Sequence, residues 1–171
     1  KTPTIPRTVY GKCKDATRQY AQTFCQSNGL EFVWGRIFFP YGPGEPTQRL
    51  LPSILNALNS RKTVKCSHGF QFRDFIHVTD TASALVHLLT VVQETGILNI
   101  GSGIPVQLRS VVELCASQFN YSPVIHFGAV PIPEDDPPLL MANMKKLHAT
   151  GWKSTVAIEQ GIDDYIKNLI E

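Results

Sequence analysis

Apolar residues recur every three or four positions in several segments of the chain, and this spacing predicts amphipathic helices. The first helix is predicted over Val9–Ser27, and Gly29 follows it as a suitable stop because glycine tolerates a left-handed backbone. Its apolar stripe consists of Val9, Cys13, Ala16, Tyr20 and Phe24. Further helices are predicted over residues 48–61, 81–93, 108–120, 143–148 and 156–170. In the helix 81–93, the residues predicted to be buried are Ala82, Leu85, Val86 and Leu89, whereas His87 is predicted to be exposed.

Short runs of β-branched and aromatic residues lie between these helices and predict strands. The run at 30–39 is almost entirely apolar, which predicts a buried parallel strand. Further strands are predicted at 63–67, 70–78, 97–100 and 123–127. The alternation of strands and helices predicts an α/β fold, in which helices cover the faces of a largely parallel sheet.

Two proline-rich segments are predicted to be loops. Residues 40–46, PYGPGEP, follow the predicted strand 30–39. Because ligands of open α/β sheets bind beyond the carboxyl ends of strands, this loop is a candidate binding element, with a plain surface turn as the alternative. Residues 128–138 form a second stiff loop with three acids, Glu134, Asp135 and Asp136, to which no ligand contact is assigned.

Composition and charge narrow the class of protein. The 171 residues suffice for one domain or for a part of a larger one. The net charge of +2 comes from scattered residues, so nothing indicates nucleic acid or a membrane as a partner. The four cysteines are widely spaced and show no metal-binding pattern, so we predict no metal site, free thiols and a reducing, cytoplasmic location.

Tyr10 and Lys14 are the first candidate for chemistry. On a helix they share one face, one turn apart. A cation beside a phenol favours the phenolate and lowers the pKa of the tyrosine, which makes it a proton donor and acceptor near neutral pH. No other tyrosine of the chain has a lysine four residues later. The alternative is an amphipathic helix with a lysine on its surface.

Arg73 is the second candidate. On an alternating strand its guanidinium can present a planar fork of donors to a diphosphate. The alternative from composition is a solvated ion pair with the adjacent Asp74.

Five strings resemble, in order, the extended short-chain dehydrogenase/reductase family of NAD(P)-dependent nucleotide-sugar epimerases, dehydratases and reductases. They are Tyr-x-x-x-Lys at Tyr10, Arg-x-x-x-x-Tyr-Gly-Pro-Gly from Arg36, Arg-Asp-Phe-x-His-Val from Arg73, Asn-Ile-Gly-Ser-Gly from Asn99, and Gly151-Trp152. The resemblance covers essentially the whole chain. It implies the C-terminal part of a Rossmann-type parallel sheet with helices, plus a small α/β substrate-binding lobe. The family's Gly-rich dinucleotide turn has no counterpart in the chain, and we expect it in an N-terminal half that the chain lacks.

The resemblance implies specific roles. Tyr10 would exchange a proton with the sugar, and Lys14 would bind the ribose of NAD or NADP and keep the tyrosine pKa low. The segment formed by Phe38, Phe39 and Pro40 would contact the cofactor, and Phe39 the substrate as well. Arg49 and Arg73 would bind a nucleoside-diphosphate sugar. Many members carry Asn at the position of Phe39.

The same resemblance suggests an organisation. Residues 1–45 would be the end of the Rossmann sheet with the catalytic helix, and 46–171 mainly the substrate lobe. The helix Val9–Ser27 would form a homodimer interface, and the chain by itself would be inactive. Two alternatives stay open: a non-catalytic binding or dimerisation module without a cofactor site, and a reductase relative in which Tyr10 and Lys14 persist without function.

Overall fold

The structure, a computed structural model, describes residues 4–90 and 95–170. The helices are α1 (Val9–Ser27), α2 (Leu50–Asn59), α3 (Val78–Thr90), α4 (Leu108–Ser117), α5 (Lys145–Ala149) and α6 (Ile158–Ile170). The strands are β1 (Val33–Ile37), β2 (Phe39–Tyr41), β3 (Val64–Cys66), β4 (Phe72–His77), β5 (Gly96–Ile100), β6 (Pro105–Gln107), β7 (Ile125–Phe127) and β8 (Leu139–Leu140). No helix in the described ranges is both long and apolar enough to cross a membrane.

The strands pair mostly in parallel, which confirms the predicted α/β fold class. β1 pairs with β5, β2 with β4 and β3 with β7, all in parallel. β4 also pairs with β8 in parallel and with β6 in the antiparallel sense. The single strand predicted at 30–39 is divided, because the chain leaves β5 after Ile37 and joins β4 from Phe39 onward. The short strands β6 and β8 were not predicted from the sequence.

Two apolar cores stabilise the fold. The larger core lies among α2, α4 and α6, and its fully buried members include Leu55, Leu58, Val111, Cys115 and Ile162. The predicted apolar sides of these three helices are therefore the buried ones. The second core joins β5 to α3 and α5 through Leu98, Ile100, Ala84 and Leu147.

The predicted buried face of α3 is wrong. Leu89 is 83% exposed, and Leu85 and Val86 are also exposed, whereas Thr81, Ala84 and Leu88 are buried. A polar contact accounts for this different orientation of α3 about its axis. Buried Asp80 accepts hydrogen bonds from the N–H groups of Thr155 and Val156 (both 2.9 Å). Because a buried carboxylate must be hydrogen-bonded, this contact orients the helix more strongly than the apolar stripe does.

His87 of α3 also differs from the prediction. Its ring is half-buried, and Nε2 lies 3.1 Å from the carbonyl oxygen of Thr150. Residues 91–93 of the predicted helix lie outside the described residues.

Helix α1 has the predicted bounds and exposes the predicted apolar stripe. Val9 and Tyr20 are 79% and 73% exposed, and Phe24 is exposed as well. The half-buried side of α1 contains Arg18, whose guanidinium donates to Asp15 (2.9 Å) and Gln22 (3.0 Å). The stripe therefore has no apolar partner among the described residues.

Candidate active site

The amino-terminal turn of α1 carries Tyr10 and Lys14. Thr8 caps this turn, since its hydroxyl accepts a hydrogen bond from the N–H of Gly11 (3.0 Å). Lys14 Nζ lies 5.6 Å from the centre of the Tyr10 ring. Tyr10 is 73% exposed, so its phenol is accessible to a ligand or to another polypeptide.

Phe38, Phe39 and Pro40 lie where the chain passes from β1 to β2. Phe38 donates its N–H to the carbonyl of Ile100 (2.9 Å), which ties this passage to β5. Phe39 and Pro40 then pair with β4. The segment therefore follows the carboxyl end of β1, the position at which parallel sheets bind ligands.

The turn after β2 depends on glycine. Gly42 and Gly44 have φ values of 146° and 90°, which side chains of L-residues disfavour. The N–H of Gly42 donates to the Glu45 carboxylate (3.1 Å), so the turn positions this acid beside the strand end. Burial raises the pKa of the Glu45 carboxyl above its ordinary value, because the charged form loses hydration.

A cavity of about 190 Å³ lies between this turn, α2 and β4. It brings together four of the predicted site residues, namely Phe39, Pro40, Arg49 and Arg73. Tyr10, Lys14 and Phe38 do not line it. The predicted substrate residues therefore share one cavity, whereas the predicted acid–base pair stands apart from it on α1.

Arg73 is 5% exposed, and its guanidinium is held by acceptors of the protein. Its Nη2 atom donates to both carboxylate oxygens of Asp136 (2.7 Å each). Its Nη1 atom donates to the carbonyls of Phe72 (2.8 Å) and Pro137 (2.9 Å). The guanidinium also lies 5.6 Å from the centre of the Phe39 ring, so it forms one wall of the cavity.

Asp74 is not the partner of Arg73, which corrects the alternative drawn from composition. Successive side chains of a strand point to opposite faces, so Asp74 lies on the other side of β4. Its buried carboxylate accepts from the N–H groups of Ser102 (2.7 Å), Gly103 (3.0 Å) and Ala142 (2.9 Å). Asp74 thus fixes the turn after β5 and the segment after β8.

The proline-rich loop 128–138 supplies residues that the sequence did not assign to the site. Asp136 forms an ion pair with Arg73, and the adjacent Asp135 forms another with Arg7, which lies just before α1. Gln71 donates from Nε2 to Asp136 (3.2 Å). Gln71 and Arg73 are two residues apart in an extended segment and so face the same side, which was the available signal for a shared partner.

Tyr41, which lines the cavity, forms a buried aromatic pair with His77. Their rings are 5.3 Å apart, and neither the Tyr41 hydroxyl nor His77 Nε2 has a hydrogen-bond partner among the described residues. Burial raises the pKa of the Tyr41 hydroxyl, and the nearby Asp80 charge adds to this effect. Tyr41 therefore remains a neutral phenol across the physiological pH range.

Within residues 4–90 and 95–170, no group of three or more His, Cys, Asp or Glu side chains is arranged to hold a metal ion. All four cysteines are free thiols.

Fold and site together define a mixed α/β protein whose parallel strands end at a small, arginine-lined cavity. A sequence profile of the NAD dependent epimerase/dehydratase family matches residues 1–101. The chain belongs to this family, as the sequence motifs indicated.

Curated relatives agree with this assignment. The chain is 30% identical to CDP-abequose synthase of Salmonella typhimurium over 85% of its own length and 51% of that protein. It is 27% identical to dTDP-4-dehydro-6-deoxyglucose reductase of Escherichia coli over 96% of its length and 53% of that protein. The chain thus spans about half the length of the curated relatives it matches.

A solved structure supports the fold. UDP-N-acetylglucosamine 4-epimerase from Methanobrevibacter ruminantium M1, in complex with UDP-N-acetylmuramic acid, superposes with a TM-score of 0.86 at 20% identity. The superposition covers 99% of this chain and 58% of the epimerase.

Proposed function

We propose that this chain supplies the acid–base pair and the sugar-nucleotide side of an NAD(P)-dependent epimerase, dehydratase or 4-ketoreductase. The observation that carries the proposal is the capped first turn of α1, which holds Lys14 over an accessible Tyr10 in a chain of this family. Residues 1–45 would contribute the catalytic helix, and 46–171 mainly the substrate lobe.

Each residue has a defined task in this proposal. Tyr10 Oη exchanges a proton with the sugar hydroxyl or carbonyl oxygen, since a phenol beside an ammonium can act both as acid and as base. Lys14 donates hydrogen bonds to ribose hydroxyls. Arg73 and Arg49 hold the diphosphate of a nucleoside-diphosphate sugar at the cavity, with Phe39 against the ligand.

The chain fits only one end of the nicotinamide cofactor. The Lys14 ammonium and Tyr10 phenol are suitable donors for a ribose diol, whereas no G-x-x-G-x-x-G string occurs in the 171 residues to cradle a dinucleotide diphosphate. When bound, NAD or NADP would supply hydride transfer. We therefore expect the chain by itself to bind sugar nucleotides but neither nicotinamide nucleotide.

Calorimetric titration of the 171-residue chain tests both expectations. UDP-glucose, dTDP-glucose and GDP-mannose probe the cavity, and NADH and NADPH probe the cofactor site. We expect Arg73→Met to abolish sugar-nucleotide binding and Arg73→Lys to weaken it, because lysine lacks the bidentate fork. Arg61→Met removes the same charge outside the cavity lining and serves as the control. Micromolar binding of NADH or NADPH by the chain would contradict the proposed division of the site.

Activity is tested on the natural protein that contains these residues. Tyr10→Phe removes only the hydroxyl and is expected to lower the rate of epimerisation, dehydration or reduction by about 10²–10⁴-fold. Lys14→Met is expected to lower the rate as well, because the ribose hydroxyls lose their hydrogen-bond donor. Unchanged rates in both variants would instead support a relative in which the pair persists without function.

The exposed stripe of α1 favours homodimerisation, which is also compatible with a non-catalytic module. Tyr20 and Phe24 are adjacent on this stripe, with ring centres 6.4 Å apart. Analytical ultracentrifugation of Phe24→Glu is expected to show a monomer where the parent chain is a dimer. Leu89→Glu places the same charge on the exposed side of α3 and is expected to leave the dimer intact. A cytoplasmic location accompanies the proposal, because the four thiols are free.

A further inference from the structure

The loop 128–138, between β7 and β8, is anchored directly on the arginine that lines the cavity. The N–H of Phe72 donates to the carbonyl of Pro138 (2.8 Å), which fixes the end of the loop along β4. Asp136 then reaches Arg73 from this fixed position, and both of its carboxylate oxygens accept from the single nitrogen Nη2. The loop therefore places a carboxylate on the group that is expected to bind a ligand anion.

Asp136 and two backbone carbonyls together engage both terminal nitrogens of Arg73. Of the three guanidinium nitrogens of Arg73, Nη2 donates to Asp136, and Nη1 donates to the carbonyls of Phe72 and Pro137. The side chain of Arg73 is 6% exposed and that of Asp136 is 24% exposed. Solvent, and hence an incoming anion, thus meets the carboxylate before it meets the guanidinium.

A carboxylate and a phosphate compete for the same donors. Both are anions that accept charge-assisted hydrogen bonds from a guanidinium, and Asp136 already occupies Nη2 of Arg73. Asp136 has the further advantage of being tethered, so it acts at a high effective concentration. Asp136 itself is not among the residues that line the cavity of about 190 Å³ beside Arg73, so the competition concerns the guanidinium and not the space of the cavity.

We propose that Asp136 is a built-in competitor for the anion site at Arg73, and that a ligand must displace it in order to bind. This inference rests on the proposed role of Arg73 as an anion site. It makes Asp136 a residue that sets ligand affinity without being part of the bound complex. Because the competitor only reduces the fraction of open sites, it scales the apparent affinity of every anion that uses Arg73 by the same factor.

A purely structural role for Asp136 predicts the opposite change in anion affinity when this residue is neutralised. If the ion pair served only to hold Arg73 in position, neutralising Asp136 would misplace the guanidinium and weaken anion binding. A competitor, once neutralised, releases Arg73 and strengthens binding. The direction of the change in affinity therefore distinguishes the two roles.

The test is calorimetric titration of the 171-residue chain and its variants with sodium pyrophosphate, followed by UDP-glucose. Asp136→Asn keeps the shape of the side chain and removes its charge. We expect it to tighten the binding of pyrophosphate by about tenfold or more, and that of UDP-glucose by a similar factor. Asp136→Ser is the second variant, in case Asn reproduces the contact to Arg73 or impairs folding.

Asp135→Asn is the matched control, because it removes the same charge from the neighbouring residue, whose partner is Arg7. We expect it to change pyrophosphate affinity by less than about twofold, since an exposed ion pair contributes little. A gain of equal size in Asp135→Asn would mean a general charge effect and would overturn the inference.

Arg73→Met separates failure of the inference from failure of the proposed function. If Arg73→Met abolishes pyrophosphate binding but neither Asp136 variant tightens it, Asp136 is not a competitor, and the proposal of an anion site at Arg73 is retained. If Arg73→Met binds pyrophosphate like the parent chain, or if no variant binds it, the anion site itself is refuted and the competitor with it.

Discussion

Gly161 of α6 leaves the space that the Tyr41 hydroxyl occupies. A Cβ atom at Gly161 would lie 2.0 Å from Tyr41 Oη and 2.7 Å from Cζ, well inside contact distance. The phenol reaches this position from the end of β2, beside the cavity. The packing of the last helix against the candidate site thus depends on the absence of one methyl group.

Gly161→Ala is expected to destabilise the fold by about 1–3 kcal/mol, the usual cost of overpacking a core. The clash outweighs the higher helix propensity of alanine, which would contribute about 1 kcal/mol in the other direction. Urea denaturation followed by circular dichroism measures the change. Gly11→Ala in α1, where the nearest atom would be 3.2 Å away, is the control and is expected to change stability by less than about 1 kcal/mol.

Tyr41→Phe is expected to leave stability unchanged or to raise it, because the buried hydroxyl has no hydrogen-bond partner among the described residues. In combination with Gly161→Ala it is expected to recover part of the loss, since it removes the atom closest to the new Cβ. A double-mutant cycle by urea denaturation measures this coupling. Strictly additive effects would show that the clash is relieved elsewhere.

Asp74→Ala is expected to reduce the free energy of unfolding by at least about 3 kcal/mol, because three backbone N–H groups lose their acceptor. Asp74→Asn keeps one carbonyl oxygen and is expected to lose about half as much. Chemical denaturation measures both variants. A loss below about 1 kcal/mol for Asp74→Ala would mean that water replaces the carboxylate.

The thiols are expected to differ sharply in reactivity. Burial raises the pKa of the Cys115 thiol to about 12 and also raises that of Cys66. At pH 8, a thiol of pKa about 12 is ionised in roughly one molecule in 10⁴. Maleimide labelling with mass spectrometry should therefore modify exposed Cys13 first, and Cys66 and Cys115 only on unfolding. Rapid native labelling of Cys115 would contradict its burial.

Glu45 is expected to make stability depend on pH. Its pKa is raised by burial, so the folded state holds the proton more tightly than the unfolded chain does. This contribution is fully present below the unfolded pKa of about 4.3 and is lost as pH rises through the folded pKa. Glu45→Gln should therefore match the parent chain at low pH. By neutral pH, its free energy of unfolding should exceed that of the parent chain by up to about 1 kcal/mol. The difference is small because the side chain of Glu45 is only half-buried.

Thermal or urea denaturation between pH 4 and pH 7 measures the Glu45 effect. Glu113→Gln, on the exposed side of α4, is the control and is expected to show no such trend. If the parent chain instead became more stable than Glu45→Gln as the pH rises, the prediction would be wrong.

Local interactions allowed much of the fold to be predicted from the sequence. The bounds of α1 and the buried sides of α2, α4 and α6 follow from periodic apolar residues, and family membership follows from strings such as that around Arg73. These features depend on neighbours in the chain, so the sequence by itself determined them.

Contacts between distant residues were decided only by the tertiary structure. Asp80 rotates α3 through bonds to residues 75 and 76 positions away, and Asp136 reaches Arg73 across 63 positions. Each pairing depends on where a loop returns to the sheet. The spacing of apolar residues along the chain does not indicate that position. The sequence therefore indicated which groups are candidates for binding an anion or carrying a proton. The return of the loop 128–138 to β4 decided which acid neutralises Arg73, because a buried charge takes the partner that the fold places within hydrogen-bond reach.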